Sequence, residues 1–428
     1  ASRQFRAFRD QMRNLLGIQT AAQAVMRGAL LERLTDIDPN LVPYAALIAD
    51  VLHIDLDPSA EVLAIQPQFR PARLATAVVQ ILAMLCPGPQ IFAMDDAHWC
   101  DEASAQLMAA IAEACNDHPW LVVAARRELP GGFSLDDRLV LEPMATQDME
   151  KLVRIATEAA PLRPHELQLI LERSSGNPLF ATEIIQAARD AGSFDSLPLS
   201  LEAALITRVD GLDAPARRLL RYASVLGRSF PVSMLEQLMA ADGEAFDAGT
   251  LTRLEDFLEG FGDRYRFRNG VVRDSVYEAM SVRLRTHLHR IAAEVIEQSA
   301  EDPAAVASSL AVHLARGGKH QGAWKYSLMA AEEAREAYAN ADAARLYAMA
   351  LEAARKVPGT NSAALVGLWT ELGEVRDRAG LFEDSMEAFS NAYRLLADDP
   401  VAKADLLIRK ARSKDRTGAF SSSLRDLT

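Results

Sequence analysis

Two short apolar runs constrain the fold of this chain more than any other feature of its sequence. Residues 90–94 (Gln-Ile-Phe-Ala-Met) follow a Pro-Gly-Pro break and meet two aspartates, and residues 121–125 (Leu-Val-Val-Ala-Ala) follow His-Pro-Trp and end at two arginines. Short apolar runs between turn signals are typical of buried strands in a parallel sheet. Residues 101–116, between the two runs, carry apolar residues at helical spacing. The pattern therefore predicts a strand–helix–strand crossover around a parallel pair.

Most of the remaining sequence is predicted to be helical. Aromatic residues make up only 6% of the 428 residues, and long stretches of Ala, Leu, Arg and Glu favour helix over sheet. One β-hairpin is predicted to end at residues 264–268. A Pro-containing break at residues 196–200 is predicted to separate two helical regions.

Charge and cysteine content exclude several classes of protein. The chain has 46 basic and 59 acidic residues and a formal net charge of −13, which argues against a general nucleic-acid binder, because phosphate neutralisation needs a basic surface. No apolar run approaches the roughly 18–20 residues of a membrane span. Three cysteines are typical of free thiols in a reducing compartment. We therefore expect a cytoplasmic protein, and the missing initiator Met indicates a piece of a longer chain.

The last third of the sequence contains an internal repeat. A large residue, a small residue and a proline recur at a spacing of 42, as Tyr347, Ala350 and Pro358 and then as Phe389, Ala392 and Pro400. This arrangement is typical of stacked helical hairpins that interlock. The second copy, which begins near Trp369, resembles a tetratricopeptide unit. An Ala-rich helical bundle without a true repeat is the alternative interpretation.

Two adjacent carboxylates, Asp95 and Asp96, follow the first predicted strand. The carboxyl end of a parallel strand is where ligands bind in open α/β sheets. The first carboxylate could hold Mg²⁺ through water, because Mg²⁺ keeps several of its waters and uses one or two protein ligands. The second could polarise an attacking water. A solvated turn is the other interpretation of such a pair.

Five motifs, in order over about residues 80–350, resemble the ATPase modules of signal transduction ATPases with numerous domains (STAND). These modules occur beside class III nucleotide cyclase domains and in large LuxR-type regulators. The motifs are DDAHWCDEAS at residues 95–104, RRE at 126–128, SGNPLF at 175–180, the helices between residues 199 and 230, and YRFRN with RDSVYE between residues 265 and 278.

The resemblance implies ATP or ADP and Mg²⁺ as cofactors, and it implies roles for single residues. Those residues are Asp95 for Mg²⁺, Asp96 as the water-orienting acid, Arg126 as a sensor arginine, Asn177 and Pro178 in the lid motif whose proline backs the adenine, and Asn269 at the β-phosphate of ADP.

Three departures from the family pattern matter for nucleotide binding or for the output of this chain. No G-x-x-x-x-G-K-[ST] motif is present, since Gly318-Lys319 is followed by His320, so we expect the phosphate-cradling loop to lie upstream of Ala1. Asn269 stands where the family usually has a histidine, and Asn cannot carry its positive charge. The effector domain is also missing. The chain alone should therefore bind nucleotide weakly or not at all.

Together these observations predict a mainly α protein with an incomplete P-loop NTPase-like α/β core. The predicted domains are a partial ATPase core at residues 1–140, a helical lid at 141–196, a winged-helix domain at 197–286 and truncated tetratricopeptide-like repeats at 287–428. The winged-helix region has 12 arginines and 13 acidic residues between residues 198 and 285. Its net charge is near zero, so we expect it to close over nucleotide rather than to contact DNA.

The first functional hypothesis is a regulatory ATP/ADP switch with slow ATPase activity, linked to an upstream class III adenylate cyclase domain. A small-molecule or protein ligand on the repeats would shift the switch between its states, and homo-oligomerisation is left open. One alternative is a LuxR-type transcription regulator whose DNA-binding domain follows residue 428. Another is a scaffold with a decayed nucleotide site. No direct contact with nucleic acid or with a membrane is expected from this chain.

Three further residues beside the aspartate pair have structural interpretations. His98 and Cys100 could suggest a metal site, but two candidate ligands without distant partners favour packing and hydrogen bonding. Trp99 is predicted to be a core anchor rather than a stacking surface.

Overall fold

The computed structural model describes residues 4–19, 22–129, 131–158, 161–191, 200–300, 302–396 and 399–417. The chain divides into two compact units. The first comprises Ala1–Asp137, Glu301–Ala315 and His320–Thr428, and the second comprises Arg138–Ala300 and Arg316–Lys319. In the part of the chain that the structure describes, no helix has the length and apolar character needed to cross a membrane.

The N-terminal part of the first unit is built from helices around a parallel pair of strands. Its elements are α1 (Arg6–Leu16), α2 (Gln23–Ile37), α3 (Ala45–Leu52), α4 (Ala60–Ala64), α5 (Arg70–Leu85), β1 (Gln90–Met94), α6 (Glu102–Ala114) and β2 (Trp120–Ala124). The strands pair in parallel, with Gln90 opposite Trp120 and Met94 opposite Ala124. The predicted crossover is therefore confirmed.

The prediction that both strands are buried is wrong for one face of this sheet. Trp120 and Val122 are buried in the core with residues of α5 and α6. On the other face, Ile91 is 70% exposed, and Leu121 and Val123 are about half exposed. The reason is that the described helices cover one side of the two-stranded sheet, whereas a parallel sheet is normally covered on both sides.

The second unit begins with three helices and continues into a mixed helix and sheet region. Its elements are α7 (Thr146–Ala156), α8 (Pro164–Ser174), α9 (Pro178–Ala191), α10 (Leu201–Gly211), α11 (Ala214–Leu226), β3 (Ser229–Pro231), α12 (Val232–Ala241), α13 (Ala248–Thr252), β4 (Leu258–Phe261), β5 (Arg264–Phe267), α14 (Gly270–Ala279) and α15 (Val282–Ser299). Apart from Ser200, the break predicted at residues 196–200 lies outside the described residues.

The strands of the second unit form an antiparallel sheet in the order β3-β5-β4. The predicted hairpin is confirmed as β4 and β5, and across it Arg266 forms an ion pair with Glu259 at 2.7 Å. From α11 to β5 the order is helix, strand, helix, helix, strand, strand. α15 runs through the predicted domain boundary at residues 286 and 287 and packs on α11 and α12.

The C-terminal part of the first unit is helical, and from its second helix onward the helices pack in sequence order. They are α16 (Ala307–Arg316), α17 (His320–Glu336), α18 (Asn340–Arg355), α19 (Ser362–Arg378), α20 (Phe382–Leu395) and α21 (Pro400–Arg416). The repeat of 42 residues places Tyr347 and Phe389 at equivalent, fully buried positions of α18 and α20. A Cβ atom on Gly373 of α19 would lie 2.5 Å from the Phe389 ring. Helical-repeat packing is thus present, with a glycine where α19 and α20 approach closely.

Candidate functional site

The acid turn, residues 95–99, follows β1 directly. Asp95 is exposed, and its Oδ1 accepts a hydrogen bond from the backbone N–H of Asp96 at 2.9 Å. Asp96 has φ of 52°, in the left-handed region, where Asp is one of the few non-glycine residues commonly found. The chain then enters a short 3₁₀ turn at Ala97–Trp99. A local backbone hydrogen bond therefore holds the Asp95 carboxylate at the carboxyl end of β1, and Asp96 begins the turn that follows.

The second half of the same motif has a structural role. The carboxylate of Asp101 is buried and accepts from the backbone N–H and the hydroxyl of Ser104, at 2.9 and 2.7 Å. It also accepts from the backbone N–H of Phe5 at 3.1 Å. Asp101 therefore caps α6 and joins the start of the chain to it. An N-cap Asp before a helical run was a signal available in the sequence.

The arginine loop, residues 125–129 and 131–133, follows β2 and is bonded to the acid turn. The backbone N–H of Ala97 donates to the Ala125 carbonyl, and the N–H of Phe133 donates to the Ala97 carbonyl, both at 2.9 Å. Gly132 has φ of +68°, and a Cβ atom there would lie 2.0 Å from the Ala97 oxygen. Only glycine fits at this close approach, so the two segments form one continuous surface at the strand ends.

Arg126 is engaged within the arginine loop. Its guanidinium donates to the carbonyl oxygens of Phe133 at 3.1 Å, of Leu129, and of Arg127 at 3.3 Å. These bonds hold the loop in shape. The role of Arg126 as a sensor of bound nucleotide stays a prediction. It would require the guanidinium to contact the nucleotide in addition to the carbonyl oxygens of the loop.

His98 and Trp99 differ in their burial. His98 is buried, and its Nδ1 accepts from the backbone N–H of Arg127 at 3.3 Å, so the predicted packing and hydrogen-bonding role is confirmed. The prediction that Trp99 is a core anchor is wrong, because its side chain is 68% exposed. The 3₁₀ turn that buries the His98 ring directs the Trp99 indole outward.

The Cys100 thiol is not set up as a reactive or ligating group. Burial raises its pKa to about 12, and the nearby carboxylates of Asp101 and Asp342 act in the same direction. Across the described ranges, three or more His, Cys, Asp or Glu side chains do not gather into a metal-binding group.

The SGNPLF motif of the second unit forms the tight connection between α8 and α9. Ser175 and Gly176 both have left-handed backbone, with φ of 47° and 78°. The Gly176 carbonyl accepts from the N–H of Met144 at 2.9 Å, and a Cβ atom on Gly176 would lie 2.7 Å from Cβ of Pro143. The glycine is therefore required by both its backbone angle and its packing.

Asn177, Pro178 and Asn269 all stand at helix starts. The Oδ1 atom of Asn177 accepts from the N–H of Phe180 at 3.2 Å, and Pro178 is the first residue of α9. The Oδ1 atom of Asn269 accepts from the N–H of Val271 at 2.9 Å and caps α14. Each amide side chain keeps its NH₂ group for another acceptor. Their contacts with a nucleotide stay predictions.

The candidate residues are divided between the two units. Asp95, Asp96 and Arg126 belong to the first unit, where backbone hydrogen bonds bring the acid turn and the arginine loop together. The lid asparagine and proline and the capping Asn269 belong to the second unit.

One long-range contact of α6, the helix that follows the acid turn, was not predicted from the sequence. The backbone N–H of Ala341, at the start of α18, donates to Oε2 of Glu102 on α6 at 2.8 Å, across 239 residues of chain. Burial raises the pKa of the Glu102 carboxyl, and the Ala341 N–H opposes this shift. Beside this contact lies a groove of about 1310 Å³, lined by residues of α5 and α6, several of them alanines, and by Tyr338 and Asn340. No local sequence pattern signals such a distant pair.

Comparisons with known proteins add the following. No protein-family model matches this sequence. It is 25% identical over 391 residues to an uncharacterized protein of Rhizobium meliloti (strain 1021), a match that covers 83% of this chain and 37% of that protein. The crystal structure of a Signal Transduction ATPase with Numerous Domains (STAND) protein with a tetratricopeptide repeat sensor from Pyrococcus horikoshii aligns with a TM-score of 0.46 and 13% identity, over 95% of this chain and 56% of that one. The chain thus spans little more than a third of the length of its curated relative.

Proposed function

We propose that this chain is the regulatory ATP/ADP-binding module of a multidomain signalling protein. The observation that carries the proposal is the bonded pair of acid turn and arginine loop at the carboxyl ends of two parallel strands. Carboxylates and an arginine at that edge of a sheet suit a magnesium-bound phosphate ligand.

The acid turn fits a magnesium ion that is shared with a nucleotide. Asp95 is an exposed carboxylate, and the described residues gather no complete set of protein ligands around it. Mg²⁺ is usually held by one or two carboxylates together with waters and substrate phosphates. Asp95 would hold the ion, and Asp96 would orient the attacking water. The bound ion would neutralise charge on the phosphates.

A phosphate-binding loop is the part that this sequence does not supply. We place it on a further segment of the polypeptide that pairs with the β1–β2 sheet. The exposed apolar face of Ile91, Leu121 and Val123 supports this part of the proposal, because a parallel sheet is normally covered on both faces.

The second unit is proposed to act as lid and winged helix in one piece. The support for a winged helix is the element order from α11 to β5 together with the sheet order β3-β5-β4. The buried guanidinium of Arg208 on α10 donates to Glu183 of α9 at 2.6 Å and to Asp256, before β4, at 3.2 Å. Since separating a buried ion pair is costly, the lid helices and the winged helix would move together. Pro178 and Asn269, the residues proposed for the adenine and the β-phosphate, would then belong to one body.

The output of the module is proposed to be control of a linked class III adenylate cyclase domain. The support for this choice is the resemblance of the five motifs to modules that accompany such domains. The helical repeats would sense a ligand, and the bond between Glu102 and Ala341 offers a direct route from the repeats to α6.

Calorimetric titration with ADP and with ATP plus Mg²⁺ tests the proposal. A polypeptide that includes a phosphate-binding loop should bind both nucleotides with a Kd of about 1–100 μM, whereas the 428-residue chain should bind them at least about tenfold more weakly, since it lacks the phosphate donors. Absence of binding by the longer polypeptide would contradict the proposed function.

A further inference from the structure

The imidazole of His98 bridges the acid turn and the arginine loop. Only 5% of the residue is exposed, and its backbone packs against Gly132, where a Cβ atom would lie 2.6 Å from the His98 Cα. The ring is tilted against the Trp99 indole, with 5.1 Å between ring centroids. The imidazole is therefore held in one orientation by both segments.

The hydrogen bond at Nδ1 determines which nitrogen of His98 carries the proton. Nδ1 lies 3.3 Å from the backbone nitrogen of Arg127, which can only donate. Nδ1 must therefore be the acceptor, and in the neutral ring the proton resides on Nε2. The backbone of the arginine loop thus sets the tautomer.

The Nε2–H group faces the Asp96 carboxylate. Within the described residues, Nε2 is a buried donor without a hydrogen-bond acceptor, and it lies 3.8 Å from Oδ1 of Asp96. A buried donor that lacks an acceptor is costly and uncommon in folded proteins. A shift of less than 1 Å would close this distance to a hydrogen bond.

We propose that His98 is the positioning residue for Asp96. Its Nε2–H would donate to the Asp96 carboxylate, which orients the attacking water. Its Nδ1 accepts from the backbone N–H of Arg127, so the ring would link that carboxylate to the arginine loop. This inference rests on the proposed function, and it adds a residue that acts through Asp96 rather than on the nucleotide. Any displacement of the arginine loop would then be transmitted to the carboxylate through one rigid ring.

The tautomer can be measured on the 428-residue chain itself. Nitrogen-15 NMR of histidine side chains distinguishes a protonated from an unprotonated ring nitrogen. The chain has eight histidines, and the imidazole signals of His98 are those that disappear in His98→Gln. The expected result is a neutral ring with the proton on Nε2. A proton on Nδ1 would overturn the proposal, whatever the protein does with nucleotides.

Two amide variants separate the two nitrogens of the ring. The oxygen of His98→Asn can occupy the place of Nδ1 and accept from Arg127, but the side chain has no donor that reaches Asp96. The NH₂ group of His98→Gln can occupy the place of Nε2 and donate to Asp96. In a polypeptide with a phosphate-binding loop, His98→Asn should lower kcat for ATP hydrolysis by about 10- to 100-fold. The ATP Kd should stay within about twofold, and His98→Gln should retain most of the rate.

The coupling to Asp96 is tested by combining substitutions. If His98 acts through that carboxylate, Asp96→Asn combined with His98→Asn should be no slower than Asp96→Asn alone. Three results would each overturn the proposal. They are an equal loss of kcat in His98→Asn and His98→Gln, an additive loss of kcat in the double variant, and a loss of ATP binding together with kcat. If the unsubstituted polypeptide binds no nucleotide, the proposed function fails, and the NMR measurement still tests the His98 tautomer that the positioning role requires.

Discussion

Three Asp and Asn residues of the candidate motifs cap helices. Asp101, Asn177 and Asn269 each accept from backbone N–H groups at the start of a helix. The preference of Asp and Asn for such positions made these caps predictable from the sequence. The orientation of Trp99 was not predictable, because a one-turn 3₁₀ segment decides which of two adjacent aromatic rings is buried.

Gly176 provides a residue-scale test of the lid connection. Gly176→Ala should destabilise the second unit by about 1–3 kcal/mol, because alanine is strained at φ of 78° and its Cβ would clash with Pro143. Amide hydrogen exchange of α8 and α9, followed by mass spectrometry, measures the effect. Gly211→Ala is the matched control, since that glycine ends α10 with open space around its Cβ position. Equal exchange in the two variants would refute this account of the motif.

At the scale of elements, regular patterns were predictable and long-range contacts were not. The strands, their crossover helix and the hairpin follow from local apolar patterns, and the structure has them within one or two residues of their predicted bounds. The exposed sheet face depends on which helices cover it. The contact of α6 with α18 joins segments 239 residues apart. Neither property is encoded in a local window of sequence.

The α6–α18 contact can be monitored through Cys100. Its thiol has a pKa of about 12, raised by burial and by carboxylates that include Asp342 of α18, so little thiolate exists at pH 8. Glu102→Ala removes the acceptor of the Ala341 N–H and should increase alkylation of Cys100 by about three- to tenfold, as α18 moves away. Mass spectrometry of iodoacetamide-labelled peptides measures the rate.

Glu113→Ala, on the exposed side of the same helix, serves as the control for that measurement. Its Cys100 labelling rate should match that of the unsubstituted chain. A rate in Glu102→Ala no higher than in Glu113→Ala would show that the Glu102 bond does not hold α18 in place.

The close approach of α19 and α20 gives a second element-scale prediction. Gly373→Ala should lower the free energy of unfolding of the first unit by about 1–2 kcal/mol, because the Phe389 ring lies within 2.5 Å of the new Cβ. All four tryptophans belong to this unit, so urea denaturation followed by tryptophan fluorescence reports on it. Gly367→Ala on the same helix meets no atom within 4 Å and should be neutral or slightly stabilising. Similar denaturation midpoints for the two variants would argue against interlocked repeats.

At the scale of the whole molecule, the types of secondary-structure element were predicted from the sequence better than the division of these elements between the two units. The mainly helical composition, the α/β pair and the helical repeats are all present. The first unit joins residues up to Asp137 with helices that begin after residue 300. That grouping could not be derived from the sequence, because it rests on contacts such as the Glu102–Ala341 bond. The net charge of −13 and the pairing of Arg266 with Glu259 are both unfavourable for contact with DNA phosphates.

The central claim is that the acid turn holds a magnesium-bound nucleotide, and calorimetry of one substitution tests it most directly. In a polypeptide that includes a phosphate-binding loop, Asp95→Ala should weaken Mg²⁺-dependent ATP binding by about 10- to 100-fold. Asp57→Ala, which removes an exposed carboxylate between α3 and α4, should leave the binding unchanged. The account predicts that the Mg²⁺ dependence disappears only in the Asp95 variant. Mg²⁺-dependent binding of equal strength in both variants would contradict it.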